Sequence, residues 1–223
     1  MLLREVIALK EQTSCKKCGS CCKQGGPALH QKDLKLLQDN KIPRSSLITI
    51  RRGELTQNPI SGAVQPASVE LVKIIGTGRE WQCCYFDEEQ GCSIYANRPQ
   101  ACVVLKCWDT AEILDLVEKE TVSRFDILSA DDAMLSIIKE YERICPFPDM
   151  LHIKENRQML STEFKGDIEK LVNDDLRFRT KVTGEYNLTL NDELFYFGRP
   201  IFQLLQALGV TPYESHTGVS LKW

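Results

Sequence analysis

The stretch CKKCGSCCKQGG, residues 15–26, sets four thiols, Cys15, Cys18, Cys21 and Cys22, within eight positions. A C-x2-C turn lets two thiolates reach one metal ion while the backbone N–H groups between them point at the sulfurs and offset the gathered negative charge. Cys15, Cys18 and Cys21 repeat that step twice. Three ligands on one loop fix one face of a tetrahedral ion, or hold three corners of an iron–sulfur cluster. Neighbouring Cys21 and Cys22 do not easily face one small ion together, which points to a second centre or a larger cluster. Gly19, Gly25 and Gly26 give the loop the freedom to wrap. Lys16, Lys17 and Lys23 either favour thiolate over thiol or are ordinary solvated lysines.

The rest of the chain sharpens this reading. The 223 residues are 43% hydrophobic, enough to bury a core without disulfides. Twenty-eight basic and 31 acidic residues leave a net charge of −3, which argues against a nucleic-acid surface or a polybasic membrane anchor. The start, MLLREVIALKEQ, has short apolar runs broken by Arg4, Glu5 and Lys10, so no secretory signal is expected. No apolar run reaches the roughly 20 residues of a membrane span, and the chain is expected to be soluble and cytoplasmic. In a reducing compartment clustered cysteines are read as metal ligands or redox groups rather than disulfides. Ten cysteines fall in two groups, the second at 83, 84, 92, 102 and 107, with Cys145 alone.

The second group, CCYFDEEQGCSIYANRPQACVVLKC (83–107), spaces its thiols on longer loops with turns at Gly91 and Pro99. C-x2-C-x2-C-C, then C-x-F, then G-C-S-I-Y-x-x-R-P-x-x-C-x4-C resembles the zinc- or iron-chelating cysteine-cluster proteins often called YkgJ-like. The resemblance covers roughly residues 15 to 107, and GCSIYANRPQAC is its most specific part. It implies metal ligation by Cys15, Cys18, Cys21, Cys22, Cys84, Cys92, Cys102 and Cys107, with Cys83 as an extra thiol and Asp33 at the start of a helix. After Cys102 the family usually has arginine, an aromatic residue and proline, where this chain has Val103, Leu105 and Lys106. Flagellin lysine N-methylases are similar in the cysteine cluster, which implies S-adenosylmethionine-dependent protein methylation as one function to weigh. The chain offers that chemistry little beyond IIGTGRE (74–80), better read as a hairpin turn leading into a strand over Trp81–Phe86.

Periodicity predicts a helix within 29–39 and a strand over Val69–Ile75. Asp109 with Glu112, and Ser129 with Asp132, suggest capping boxes for helices running to about Glu120 and to Ile144. The second of these sets Met134, Ile138, Tyr141 and Cys145 on one face, so Cys145 reads as a core thiol, with Cys145-Pro146 as a remote cluster ligand the competing view. Beyond Pro148, Lys154–Arg179 reads as one broken helix or two, Val182–Phe197 as a hairpin turning at Asn191-Asp192, and Pro200–Leu208 as a short helix stopped by Gly209. Phe195, Tyr196, Phe197 and Phe202 read as a small core in preference to a partner surface. His30, His152 and His216 are isolated and read as surface or capping residues, and Asp87, Glu88 and Glu89 as a solvated turn.

The expected fold is α+β: a small cysteine-rich metal-binding domain over residues 1–150, with loop-borne ligands, short hairpins and flanking helices, then a helical and hairpin extension over 151–223. The expected cofactor is an iron–sulfur cluster used in structure, redox chemistry or sensing, with zinc the alternative. No catalytic residue is assigned, and a partner or substrate protein is left unidentified.

Overall fold

The computed structural model describes residues 12–216 and 218–223; the opening segment read above for a secretory signal lies largely outside them. The fold is α+β, with nine short-to-long helices and five antiparallel strand pairs among the described residues. In chain order, α1 spans Leu34–Gln38, β1 Leu47–Ile50, β2 Leu55–Gln57, β3 Val64–Pro66 and β4 Leu71–Ile74. Then come β5 Gly76–Thr77, β6 Gln82–Cys83, β7 Phe86–Asp87, β8 Gly91–Cys92, α2 Gln100–Val104, α3 Ala111–Asp115, α4 Arg124–Ile127 and α5 Met134–Ile144. The chain ends with α6 Met150–Asn156, α7 Thr162–Tyr186, α8 Leu190–Phe197, α9 Ile201–Ala207, β9 Thr211–Ser215 and β10 Gly218–Lys222. No described helix is long and apolar enough to cross a membrane.

The pair β1–β4 is the frame on which the cysteine loops hang. Its register sets Leu47 opposite Ile74 and Ile50 opposite Leu71. Leu47, Val72 and Ile74 are fully buried, as expected where β-branched and aliphatic side chains fill a pleated face. Immediately after the first cysteine loop the backbone docks on β4: Leu29 N donates to Val72 O, and Ile74 N donates to Pro27 O. Gly26 permits that approach, since a Cβ there would stand 2.2 Å from the Ile74 carbonyl oxygen.

One buried cluster joins Leu29, Val72 and Ile74 to Val122, Met134, Ile138, Tyr141 and Cys145, and extends past residue 150 to Val182 and Phe195–Phe197. A second, built from Met150, Ile153, Ile168, Val172, Ile201 and Leu205, fills the space among α6, α7 and α9. Met134, Ile138, Tyr141 and Cys145 do share the buried face of α5, and Phe195, Tyr196 and Phe197 are core. Cys145 lies wholly inside this core, where burial, followed by the charge of Asp175, pushes its thiol up to about 12.

Several local expectations are corrected. Val182–Phe197 is not a hairpin: Asn187 takes a left-handed conformation that ends α7, and Thr189 with Asp192 forms a capping box that starts α8. The C-terminal hairpin lies later, with Thr211 opposite Lys222. The helix expected to run to Glu120 is only α3, because Glu112 pairs with Lys106 instead of capping, and α5 begins at Met134, whose N–H donates to Asp132 Oδ1. A capping box that the reading missed, Ser123 with Asp126, starts α4.

A buried ionic network ties these layers together. Arg51 donates to Glu142 Oε2 at 2.6 Å and to the Cys145 carbonyl at 2.7 Å. Arg124 holds Glu142 Oε1 at 2.8 Å and both oxygens of Glu70. Arg179 donates to Asp175 at 2.7 Å and to the Tyr141 hydroxyl at 2.8 Å, and that hydroxyl donates to Asp175 at 2.7 Å. Buried charges persist only when paired and hydrogen-bonded in this way, since an unpaired one loses its hydration without return.

Candidate metal centre

The first cysteine loop is a tight turn: Lys23 N donates to Gly19 O, and Gly25 N to Cys22 O, so Cys22 opens a short 3-10 turn over Cys22–Gln24. Gly19 sits at φ +77°, where a side chain would be strained and would meet the Phe86 ring. That turn packs on β6, which brings Cys22 beside Cys83. The pairing of β5 with β6, and of β7 with β8, delivers Cys83 and Cys92 from two successive turns. The expected turn within IIGTGRE is therefore present, feeding two separate two-residue strands over Gln82–Cys83 and Phe86–Asp87. Cys102 comes from α2, whose first N–H, that of Gln100, donates to Asp33 Oδ1 at 2.7 Å.

Asp33 is the joint between the two cysteine groups. It is buried, and its other oxygen accepts from His30 N at 2.9 Å. Burial raises its carboxyl above the usual range, while the N–H groups of His30 and Gln100 and the charge of His30 act in the opposite sense. His30 itself is buried, with Nδ1 at 2.9 Å from the Lys119 carbonyl oxygen. Of the sequence readings for this residue, capping describes its place better than surface.

Five thiols from these loops, those of Cys21, Cys22, Cys83, Cys92 and Cys102, wall one cavity of about 360 Å³. The Cys21 and Cys22 sulfurs are 4.0 Å apart. Cys15, Cys18 and Cys107 stand exposed and outside this wall; Gln12 donates to the Cys107 sulfur at 3.3 Å, and Cys18 contacts the Ser20 hydroxyl at 3.3 Å. Cys84, the thiol favoured by spacing, stands behind Cys83 and packs against the core, so the extra thiol is the one on the wall. Among the described residues no three His, Cys, Asp or Glu side chains converge closely enough to hold a single ion. The thiols surround a space, not a point.

Their electrostatics follow from crowding. Burial pushes the thiols of Cys22 and Cys102 up to about 12, and the nearby charges of Cys21 and Cys83 add to it. Cys92 is raised by burial, countered in part by an N–H donor and by Arg98. Cys83, by contrast with Cys22, Cys92 and Cys102, is pulled down to about 7, because the Cys84 thiol donates to it. A cation is what lets several such groups ionise together, and soft, all-sulfur donors suit zinc or iron in preference to hard oxygen-seeking ions. The donor set therefore fits the metal that the sequence implies. Of the three lysines, Lys23 pairs with Glu88 at 2.7 Å and Lys17 lies over the Tyr95 ring, so neither is simply solvated.

Two further residues of the wall have no role in the sequence analysis, although Arg98 is part of the quoted motif GCSIYANRPQAC. Lys73 lines the cavity from β4, and Arg98 lines it while stacking on Tyr95 at 3.7 Å with its Nε buried and lacking a hydrogen-bond partner. A lysine alternating with buried Val72 and Ile74 is a legible signal, since neighbours in a strand point to opposite faces.

Thiols gathered from one loop, two short strands and a helix around a common space define a chelating protein of the cysteine-cluster class. Residues 14–124 match the family model CxxCxxCC, described as "Putative zinc- or iron-chelating domain", and that segment of the chain belongs to this family, which the YkgJ-like label fits. No curated relative and no solved structure matches the chain.

Proposed function

We propose that the cysteine loops hold an iron–sulfur cluster that serves structure, electron transfer or sensing in a reducing, cytoplasmic setting. The observation that carries this reading is the five-thiol wall around one cavity, more sulfur than a tetrahedral ion uses and spread too widely for a single ion. Cys21, Cys22, Cys83, Cys92 and Cys102 would hold the group, with Cys84 behind Cys83 and with Cys15, Cys18 and Cys107 exposed outside this wall. When bound, such a cluster accepts and releases single electrons at a potential tuned by the hydrogen bonds and charges around its sulfurs. The chain's own part is positional: Asp33 fixes α2 against the first loop, Arg98 sets positive charge beside Cys92, and the Cys84 thiol steadies Cys83 as thiolate.

Protein purified without oxygen is expected to be brown and to contain iron and acid-labile sulfide in similar amounts, because thiolate-to-iron charge transfer absorbs visible light and zinc's filled d shell does not. A colourless anaerobic preparation with stoichiometric zinc would overturn the choice of metal.

A further inference from the structure

The cysteine-walled cavity extends well beyond its thiols. Its remaining wall is largely apolar, with Leu71 and Ile74 on β4 facing Ile113, Leu116 and Val117 around α3. Exposed Gln57 on the β2–β3 hairpin marks the side open to solvent. A volume of about 360 Å³ is at the lower end of the range, roughly 300–1,000 Å³, in which proteins hold small molecules.

The polar groups of this wall are uneven. Glu118 is engaged, its carboxylate accepting from the Ser68 hydroxyl at 2.6 Å. The Lys73 side chain makes no hydrogen bond or ion pair among the described residues, while its backbone is paired in the β1–β4 ladder. Burial and the charge of Arg199 lower its pKa, and Glu54, which acts the other way, is already bound to Arg199. A lysine that lines an apolar wall, with no ion pair of its own and with the nearby Glu54 carboxylate already taken by Arg199, is a group that an anion would stabilise in its charged form.

We infer that this cavity binds an amphipathic organic anion, an apolar body with a carboxylate head that pairs with Lys73. The apolar body lies along the part of the wall that carries no cysteine, between β4 and α3, so the ligand lies beside the group the thiols would hold and does not replace it.

The test is calorimetric titration of the full-length, anaerobically purified protein with decanoate, and with decanol as the uncharged counterpart. Decanoate should bind saturably at one site and at least about tenfold more tightly than decanol, the factor that one charge-assisted hydrogen bond supplies. Lys73→Met should weaken decanoate about tenfold and leave decanol unchanged. Leu116→Trp, which fills the cavity and keeps the charge, should weaken both. Equal binding of decanoate and decanol, the absence of saturable decanoate binding, or a folded Lys73→Met protein that binds decanoate like wild type would each overturn the inference. So would Leu116→Trp without effect, and that variant decides the matter if Lys73→Met does not fold. Metal content, measured on the same samples, reports separately on the cluster.

Discussion

Replacing Asp33 by Asn tests whether one carboxylate holds the two cysteine groups together. Asp33 accepts from His30 N at 2.9 Å through one oxygen and from Gln100 N at 2.7 Å through the other, and it is only 3% exposed. An amide has one acceptor oxygen, so its NH2 group must face one of these N–H donors. One charge-assisted bond is lost, worth about 1.5–3 kcal/mol, and a buried donor is left without a partner, which costs about 1–3 kcal/mol more. These terms overlap, and the expected loss is about 2–4 kcal/mol. For a chain of this length that lowers the melting temperature by roughly 4–16 °C. Because Gln100 opens the helix that carries Cys102, metal affinity should fall as well, by about 10–100-fold, the usual effect of removing a residue that orients a ligand. Scanning calorimetry and metal analysis of the two proteins, side by side, give both numbers. A stability within about 0.5 kcal/mol of wild type, the range of ordinary surface changes, would refute the reasoning.

Other outcomes follow from the same geometry. Cys83→Ser should lower bound metal more than Cys84→Ser, since Cys83 is on the wall and Cys84 behind it; equal losses by metal analysis would show that the wall does not select the ligand. Gly26→Ala would press a methyl group against the Ile74 carbonyl and should cost about 1–3 kcal/mol in urea unfolding, with an unchanged midpoint as the contrary result. Burial works against ionisation of Glu142, but Arg51 and Arg124 outweigh it and hold its carboxyl below the usual range. The stability it contributes is present above the ordinary carboxylate pKa, about 4.3, and is lost as pH falls through the depressed value. Urea midpoints between pH 6 and 2 should therefore fall more steeply for wild type than for Glu142→Gln, and parallel profiles would contradict the pairing.

The cysteine loops were legible because ligand spacing is a local code: Cys15 to Cys22 and GCSIYANRPQAC announce chelation without any knowledge of the fold. Which thiols share a wall was not, because it depends on strand pairings such as Gly76 with Cys83, which set a backbone direction and so choose Cys83 over Cys84. The apolar stripe on α5 could be read from its period, and Tyr141 was placed correctly as core. Its hydroxyl partners, Asp175 and Arg179, lie 34 and 38 residues away, and nothing local points to them. Val182–Phe197 alternates in apolar residues as a hairpin would, but Thr189 and Asp192 stand at capping-box spacing, and that local signal starts a helix there.

The segment shared with the family ends at Arg124. That residue is only 1% exposed, and its guanidinium is satisfied by Glu142 and by the Tyr196 carbonyl as well as by Glu70. Two of its three partners thus belong to sequence outside the shared segment. Cutting the chain at residue 150 would remove the carbonyl, along with Phe195 and Phe197, and leave a cation facing an unfilled core. The later helices are in this sense a lid on the cysteine-bearing part rather than an appendage to it. A protein carrying the shared segment alone needs either a different residue at this position or another chain to close over it.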